Sequence, residues 1–358
     1  MCRLRNSRLV HASFCVVTEC QVKGIVTSRS SVVVLKRRPR GPVQPEDFSV
    51  EAAPVLDPAE GEVLVAARYI TVDPYVRAML DDPSFFGSPV PLGGVPPGDM
   101  VAEVIRSRAA EFPEGALVVG RLGWRSHAIA GCAALRLAGM HGVPVPTELS
   151  LLSSSGLTAW FGVTEVLRPR PGETVVVSGA AGGVGNIAAQ LARISGARVV
   201  GIAGGPRKSA FLESTIGLTG AIDYKAVTDI GAEIDRLCPD GIDAYFDNVG
   251  GPLTDAILTR IAVGARVVLC GEISQYDVLG SEYRPRLGPI ADQRATMTGL
   301  LVSDFVHRYD EARKRLAGLA RSGTLKPTED IVEGFTMLPT AFVGMMRGDN
   351  VGKRLVKV

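Results

Sequence analysis

Long apolar runs are missing from this chain of 358 residues. Arg, Asp, Glu or Lys interrupts every hydrophobic stretch before it reaches the roughly 18 residues that cross a bilayer. The expectation is a soluble protein with no membrane partner. A charge imbalance is missing too, because 39 basic and 37 acidic residues leave a formal net charge of +2. No broad field calls for nucleic acid, and a small neutral-to-acidic molecule is the expected partner. Cysteine is present but unorganised: Cys2, Cys15, Cys20, Cys132, Cys238 and Cys270 form no CxxC or CxxH pattern. That argues against a disulfide framework and a metal knot, and it fits a reducing cytoplasm. A catalytic zinc needs three converging Cys, His, Asp or Glu ligands. His127 and His141 flank Cys132 without a third well-placed ligand, so both histidines read as ordinary loop residues and no metal is expected.

What is present has the balance of a packed protein, with 46% hydrophobic and 21% charged residues. At roughly 150 residues per domain the length points to two domains. Residues 1–31 stand apart, with three of the six cysteines, no sustained helix or strand period, and Glu19 as their single acid. Their Arg and Ser content fits a targeting peptide. Because no small-residue cleavage site follows an apolar core, a disordered extension is the preferred reading, with folded sequence starting near Val32.

From residue 32 to about 150 the chain reads as short strands, VVVLKR, EVLVAARYITV, MVAEVIRS and ALVVGRLGW, separated by Gly and Pro. Such spacing predicts a compact β barrel or sandwich. From Glu173 the rhythm changes to alternating strands and helices. TVVVSG, RVVGIAG, AIDYK, IDAYFDNV and ARVVLCG read as strands, and VGNIAAQLARISG, PRKSAFLESTIG, DIGAEIDRL and PLTDAILTRIAVG as helices. Strands apolar on both faces in this order predict a parallel sheet covered by helices on each side. Residues 274–294 are too irregular for an element and too long for an ordinary connection, which marks a functional or mobile loop. TMTGLLVS then reads as an apolar strand and DFVHRYDEARKRLAGLARSG as a helix. The tail returns to short strand-like segments ending in GKRLVKV. The expected organisation is one domain from 32–149 and 327–358, with a nucleotide domain, 150–326, inserted between its parts.

TVVVSGAAGGVGNIAAQ is the most informative segment, because a glycine-rich turn sits between a strand and a helix. Read as Ala180-x-Gly182-x-x-Gly185, it is the GxGxxG fingerprint with Ala in the first place. Gly182 would let backbone approach a pyrophosphate, Gly185 would let the helix pack on the strand, and the helix end would supply dipole and N–H donors. The plainer alternative is a tight turn with no ligand. An NAD site normally offers Asp or Glu about 20 residues further on. Here Gly204 and Gly205 stand at that place, followed by Arg207 and Lys208. With no carboxylate to repel it, the 2′-phosphate of NADP could be met by these two cations. NADP(H) is therefore the expected cofactor, against the reading of Arg207 and Lys208 as solvated first-turn residues.

With these motifs the chain resembles the zinc-independent branch of the medium-chain dehydrogenase/reductases, and in particular the prostaglandin, alkenal and curcumin reductase group. The motifs VVLKRRPRG, YITVDPYVR, SGAAGGVG, AIDYK, YFDNVGG, CGEISQY and GDNVGK occur in that order and span most of the chain beyond residue 31. The resemblance implies an α/β protein: a GroES-like β-rich catalytic domain plus a Rossmann-type doubly wound parallel-sheet cofactor domain, usually as a homodimer. It implies Ala181, Gly182, Gly183 and Val184 under the pyrophosphate and Lys208 and Tyr224 near the 2′-phosphate. It further implies Asn248, Cys270, Gly271, Glu272, Ile273, Ser274, Gln275, Tyr276, Leu300, Leu301, Val302 and Asn350 around the rest of the cofactor.

The implied reaction is NADPH-dependent reduction of a carbon–carbon double bond conjugated to a carbonyl, as in enals and enones, without metal. Charge would gather on the carbonyl oxygen, and Tyr276 is the candidate donor to it. A phenol of ordinary pKa, about 10, favours hydrogen bonding over full proton transfer. The alternative for Tyr276 is packing on the cofactor ribose. Some positions depart from the group: Phe86 stands where relatives often have tyrosine, Ser154-Ser155-Gly156 replaces Met-Pro-Gly, and Glu272 and Asp277 add acids around ISQY. These bear on the substrate more than on the cofactor. Rival readings are an NADPH-dependent quinone reductase and a non-catalytic NADPH-binding regulatory or structural protein. An apolar edge strand, TMTGLLVS, offers a dimer contact.

Overall fold

The computed structural model describes residues 29–84, 86–278 and 283–358, so most of the expected amino-terminal extension lies outside the described residues. The first described strand starts at Arg29, slightly before Val32. Strand β1 (Arg29–Leu35) pairs antiparallel along its whole length with β2 (Phe48–Pro54), a strand the sequence pattern did not reveal.

Strands β3 (Glu62–Thr71), β4 (Met100–Ser107), β5 (Leu117–Gly120), β6 (His127–Gly131) and β7 (Leu135–Leu137) pair antiparallel, with β3 central and bonded to both β4 and β6. His127 thus belongs to a strand rather than a loop, with its Nδ1 3.0 Å from Ser126 Oγ.

The chain then builds a second sheet from β8 (Thr174–Ser178), β9 (Arg198–Ala203), β10 (Gly220–Asp223), β11 (Ile242–Asp247), β12 (Ile261–Leu269) and β13 (Thr296–Gly299). All its pairings are parallel, in the order β10-β9-β8-β11-β12-β13. Afterwards β14 (Glu329–Glu333) and β15 (Lys353–Lys357) return to the first sheet, where β15 pairs with β3. Every residue of β8 is buried, which is what a central strand covered on both faces requires.

Three expectations are corrected. Residues 261–264 were expected to end a helix, but the helix Gly251–Leu258 stops earlier and Ile261 already pairs in β12. Arg260 Nη1 donates to Ala256 O at 3.0 Å and helps close the helix. Gly264, at φ 76°, takes a conformation that no helix residue adopts. Secondly, β13 ends at Gly299 rather than running through Ser303, and the α-helix that follows starts at Tyr309, not Asp304. A 3-10 segment, Val302–Arg308, intervenes, with Phe305 out of helical geometry and stacked 4.4 Å from Phe161. Thirdly, the tail contains a helix, Leu338–Met346, where only strand-like segments were expected. Its buried Leu338, Ala341, Phe342 and Met345 recur at three and four residues, a helical stripe that the short window disguised.

Phe342 sits at the centre of the first core. Its ring meets Phe48 edge-on at 6.0 Å and Trp124 at 5.4 Å, and all three are buried. Phe342→Ala should lower stability by about 3–5 kcal/mol, the usual range for emptying an aromatic site. Urea unfolding followed by Trp124 fluorescence reads this directly, and a loss below about 1 kcal/mol would show that Phe342 does not anchor the core.

Candidate active site

In an open parallel sheet, ligands bind beyond the carboxyl ends of the strands at the point where the strand order reverses. Here that point lies between β8 and β11. Ser178 ends β8 and Asp247 ends β11, and both are buried. Asp247 Oδ1 accepts hydrogen bonds from Ser178 Oγ (3.0 Å), Tyr245 Oη (2.8 Å), Val249 N (2.9 Å) and Gly250 N (3.0 Å), while Oδ2 accepts from Thr254 Oγ1 (2.5 Å). This carboxylate organises the crevice wall, and the sequence reading passed over it. The available signal was an acid closing an apolar strand directly before Asn248 and two glycines. Asn248 is held in turn, its Nδ2 donating to Ser178 O at 2.7 Å.

The glycine turn is built by steric exclusion. A Cβ on Gly185 would lie 2.3 Å from Gly179 O, so only glycine lets the helix Gly183–Ile194 start this close to β8. Gly182 precedes that helix, and no side chain among the described residues caps it. The N–H groups of Gly183, Val184 and Gly185 therefore lack intrahelical partners. Ala181 O accepts from Gly352 N at 2.7 Å, and Gly182 bridges Gly352, so the turn is stitched to the segment before β15. Lys353 follows; its Cδ would be 3.0 Å from a Cβ on Gly183, and its ammonium pairs with Asp73 in a buried contact. Asn350, also buried, donates from Nδ2 to Gly352 O at 2.7 Å.

Beyond β9, a Cβ on Gly204 would stand 2.8 Å from the Tyr224 ring and 2.9 Å from Lys225 Cε. The missing side chain is what lets both residues fold over the strand end. Lys208 reaches towards the tail, its Nζ 3.5 Å from the place of a Gly348 Cβ. Burial lowers its pKa, and the neighbouring Lys225 charge lowers it further. Arg207 is exposed on the same helix. One expectation is corrected here, because a carboxylate does stand close by. Asp223 closes β10, and its Oδ1 accepts from Gly205 N (2.7 Å) and Lys225 N (3.0 Å). Two amides thus occupy that oxygen.

The remaining predicted residues gather at the ends of β11, β12 and β13. Cys270 and Gly271 follow β12, and burial, with help from Asp247, pushes the Cys270 thiol up to about 12. Glu272 N donates to Tyr276 Oη at 3.4 Å, and Ile273–Gln275 make a 3-10 turn. Ser274 Oγ donates to Val249 O at 2.7 Å, and Gln275 Nε2 to Ser274 Oγ at 2.9 Å. Leu300 N donates to Leu269 O at 2.9 Å, Leu301 is exposed, and Val302 O accepts from Tyr309 Oη at 3.0 Å. Burial raises the Tyr276 phenol above its ordinary pKa. Next to it, Asp277 Oδ1 accepts from Arg77 Nε at 2.7 Å.

A second phenol, not singled out from the sequence, stands on the side of the first sheet. Tyr75 Oη accepts from Arg121 Nη2 at 2.8 Å, and its ring lies 5.7 Å from that of Phe86. Burial first, and then the charge of Asp73, holds it well above the phenol range.

Residues 32–137 match the family described as the N-terminal domain of oxidoreductase, and residues 183–318 the family described as zinc-binding dehydrogenase. The chain is 40% identical over 336 residues to YfmJ of Bacillus subtilis, an oxidoreductase by name, covering 93% of this chain and 99% of that protein. The chain belongs to the medium-chain dehydrogenase/reductase superfamily. It is 33% identical over 331 residues to the NADPH-dependent curcumin reductase of Escherichia coli, with 91% of this chain and 96% of that one covered. To the 2-alkenal reductase of Nicotiana tabacum it is 35% identical over 333 residues, again covering 91% and 96%. The crystal structure of Vibrio vulnificus CurA in complex with NADPH superimposes with a TM-score of 0.87 at 32% identity, covering 92% of this chain and 99% of that one. The protein is thus an oxidoreductase of the curcumin, alkenal and prostaglandin reductase group, and its two sheets are the β-rich and Rossmann-type parts which the motifs implied. One family description names zinc, whereas among the described residues no group of three or more His, Cys, Asp or Glu could hold a metal ion. Among those residues no helix is long and apolar enough to cross a membrane.

The Asp247 cluster yields a direct test. Asp247→Ala leaves five donors without their acceptor, which should cost at least about 3 kcal/mol. Amide exchange at residues 248–250 should accelerate as well. Unchanged unfolding and unchanged exchange would show that the carboxylate does not hold this wall.

Proposed function

We propose that this protein reduces the carbon–carbon double bond of α,β-unsaturated carbonyl compounds, enals and enones, with NADPH. The observation that carries the reading is one crevice that combines an uncapped glycine turn with Lys208, a lysine drawn partly out of water beside Gly348. A Cβ would meet Lys353 at Gly183, the Gly179 carbonyl at Gly185 and Tyr224 at Gly204, so glycine is what lets these elements close up around the turn. An ammonium that burial and a second lysine both destabilise is a site that an anion relieves.

Bound NADPH supplies the hydride. The amides of Gly183, Val184 and Gly185 and the helix dipole hold the pyrophosphate. Lys208 and Tyr224 receive the 2′-phosphate, whose charge of nearly two makes the lysine contact a strong one. Asn248, the Cys270-to-Tyr276 segment, Leu300 to Val302 and Asn350 enclose the remainder and exclude water. Tyr276 donates a hydrogen bond, without giving up its proton, to the substrate carbonyl oxygen as negative charge gathers there. A pKa raised by burial keeps the phenol protonated at neutral pH, and the enolate takes the proton for its α carbon from solvent. In this reading 150–326 is the cofactor unit, 32–149 with 327–358 the catalytic one, copies pair along the open edge of β13, and the enzyme works in the cytoplasm.

Titration with reduced cofactors tests the first half. Lys208→Ala should weaken NADPH binding by about tenfold or more, the value of a hydrogen bond to a charged group, and leave NADH nearly unchanged. An equal loss for both cofactors would remove the phosphate role. For the second half, Tyr276→Phe should lower kcat by about a hundredfold with NADPH affinity intact, as for loss of one oxyanion donor. In the parent enzyme the Tyr276 limb of the pH profile should lie above about 10, since burial moves the phenol upwards. Oxidation of NADPH by quinones but not by enals or enones would overturn the proposed reaction.

A further inference from the structure

We propose that Asp277 is a positioning residue whose ion pair with Arg77 latches the turn carrying Tyr276 to the β-rich part of the protein. The role rests on the reading of Tyr276 as the donor to substrate. Arg77 belongs to the short helix Tyr75–Met79, which follows β3 and the Asp73-Pro74 pair, and its side chain is wholly buried. A buried guanidinium is tolerated only when its donors are matched. Two matches come from its own surroundings: Nη1 donates to Asp81 Oδ2 at 2.6 Å, one helical turn on, and Nη2 to Gly41 O at 3.2 Å. The planar fork is thereby fixed, and Nε points its hydrogen at Asp277 Oδ1, 2.7 Å away and 200 residues later in the chain.

On its other side the turn is tied to the parallel sheet. Ile273 N donates to Asn248 O at 3.4 Å, and Ser274 Oγ to Val249 O at 2.7 Å. The two attachments bracket Tyr276, which is a single peptide bond from Asp277 and hence about 3.8 Å away at Cα. The latch is an ion pair whose arginine is held in place by contacts that do not involve the turn.

The effect on chemistry follows from tolerance. A donor displaced by about 1 Å can cost a hundredfold in rate, whereas the glycine turn and Lys208, which lie outside this segment, still hold the cofactor's phosphates and carry most of its affinity. Asp277→Ala is the informative change, since Arg77 keeps Asp81 and Gly41 and the fold is spared an unpaired buried charge. Asp277→Asn keeps an acceptor opposite Nε and serves as the conservative variant.

Three measurements decide the matter. Hydrogen exchange in the cofactor-free protein should quicken in residues 272–278 for Asp277→Ala and less for Asp277→Asn. With NADPH and an enal, Asp277→Ala should lose between about tenfold and a hundredfold in kcat, with NADPH affinity within about twofold of the parent and a partial return in Asp277→Asn. Tyr276→Phe combined with Asp277→Ala should be no slower than Tyr276→Phe alone, because both act through one group. Unchanged exchange overturns the latch. A kcat loss that adds in full to that of Tyr276→Phe overturns the positioning role. If the parent protein reduces neither enals nor enones, the proposed reaction fails by itself, and the exchange experiment still reads whether Asp277 fixes the turn.

Discussion

The closeness of one helix to one strand is the constraint from which the rest follows. Because nothing larger than hydrogen fits between Gly185 and the carbonyl of Gly179, the helix Gly183–Ile194 begins directly above the end of β8, with its first amides aimed into the crevice. The same closeness leaves Ala181 and Gly182 open on their other side, and Gly352 fills that space with a main-chain bond. The glycine turn is therefore also the seam between two sheets. The buried Lys353–Asp73 pair lies under that seam. Any rearrangement of the turn is felt in the β-rich part as well.

Charge is handled with local economy around the crevice. Asp247 and Asp223 each close a strand of the same sheet, and each turns its carboxylate towards backbone amides. Acids in such positions shape loops without repelling an incoming phosphate at close range. The cations show the reverse pattern. Lys225 stands close enough to Lys208 for its charge to add to the burial that lowers the Lys208 pKa.

Much of this was legible in the sequence because it depends on short-range rules. A strand, a glycine turn and a helix fall within twenty residues, and alternating apolar strands announce a parallel sheet. Elements set by distant partners were not legible. Strand β2 is identified by its pairing with β1, and the helix Leu338–Met346 is too short to show its period until Phe342 meets Phe48 and Trp124. Residues 261–264 looked helical because the apolar pattern runs on past Leu258, and the end of that helix is decided by Arg260 and Gly264. Within the site, Asp223 and Tyr75 escaped notice for the same reason. Their neighbours, Gly205 and Arg121, come from other elements.

The position of β15 carries a consequence for how the molecule is made. It lies between β14 and β3, inside the first sheet, yet it follows all six parallel strands in the chain. During synthesis the parallel sheet can be completed while the β-rich sheet still lacks an interior strand, so residues 69–71 of β3 must wait for their partner beside the stretch that β6 already pairs. Domains emerging from the ribosome generally fold as units in chain order. Here the later unit is finished first, and the strand that closes the earlier one arrives with Asn350 and Lys353 beside it. Maturation of the sheet and assembly of the crevice are therefore one event.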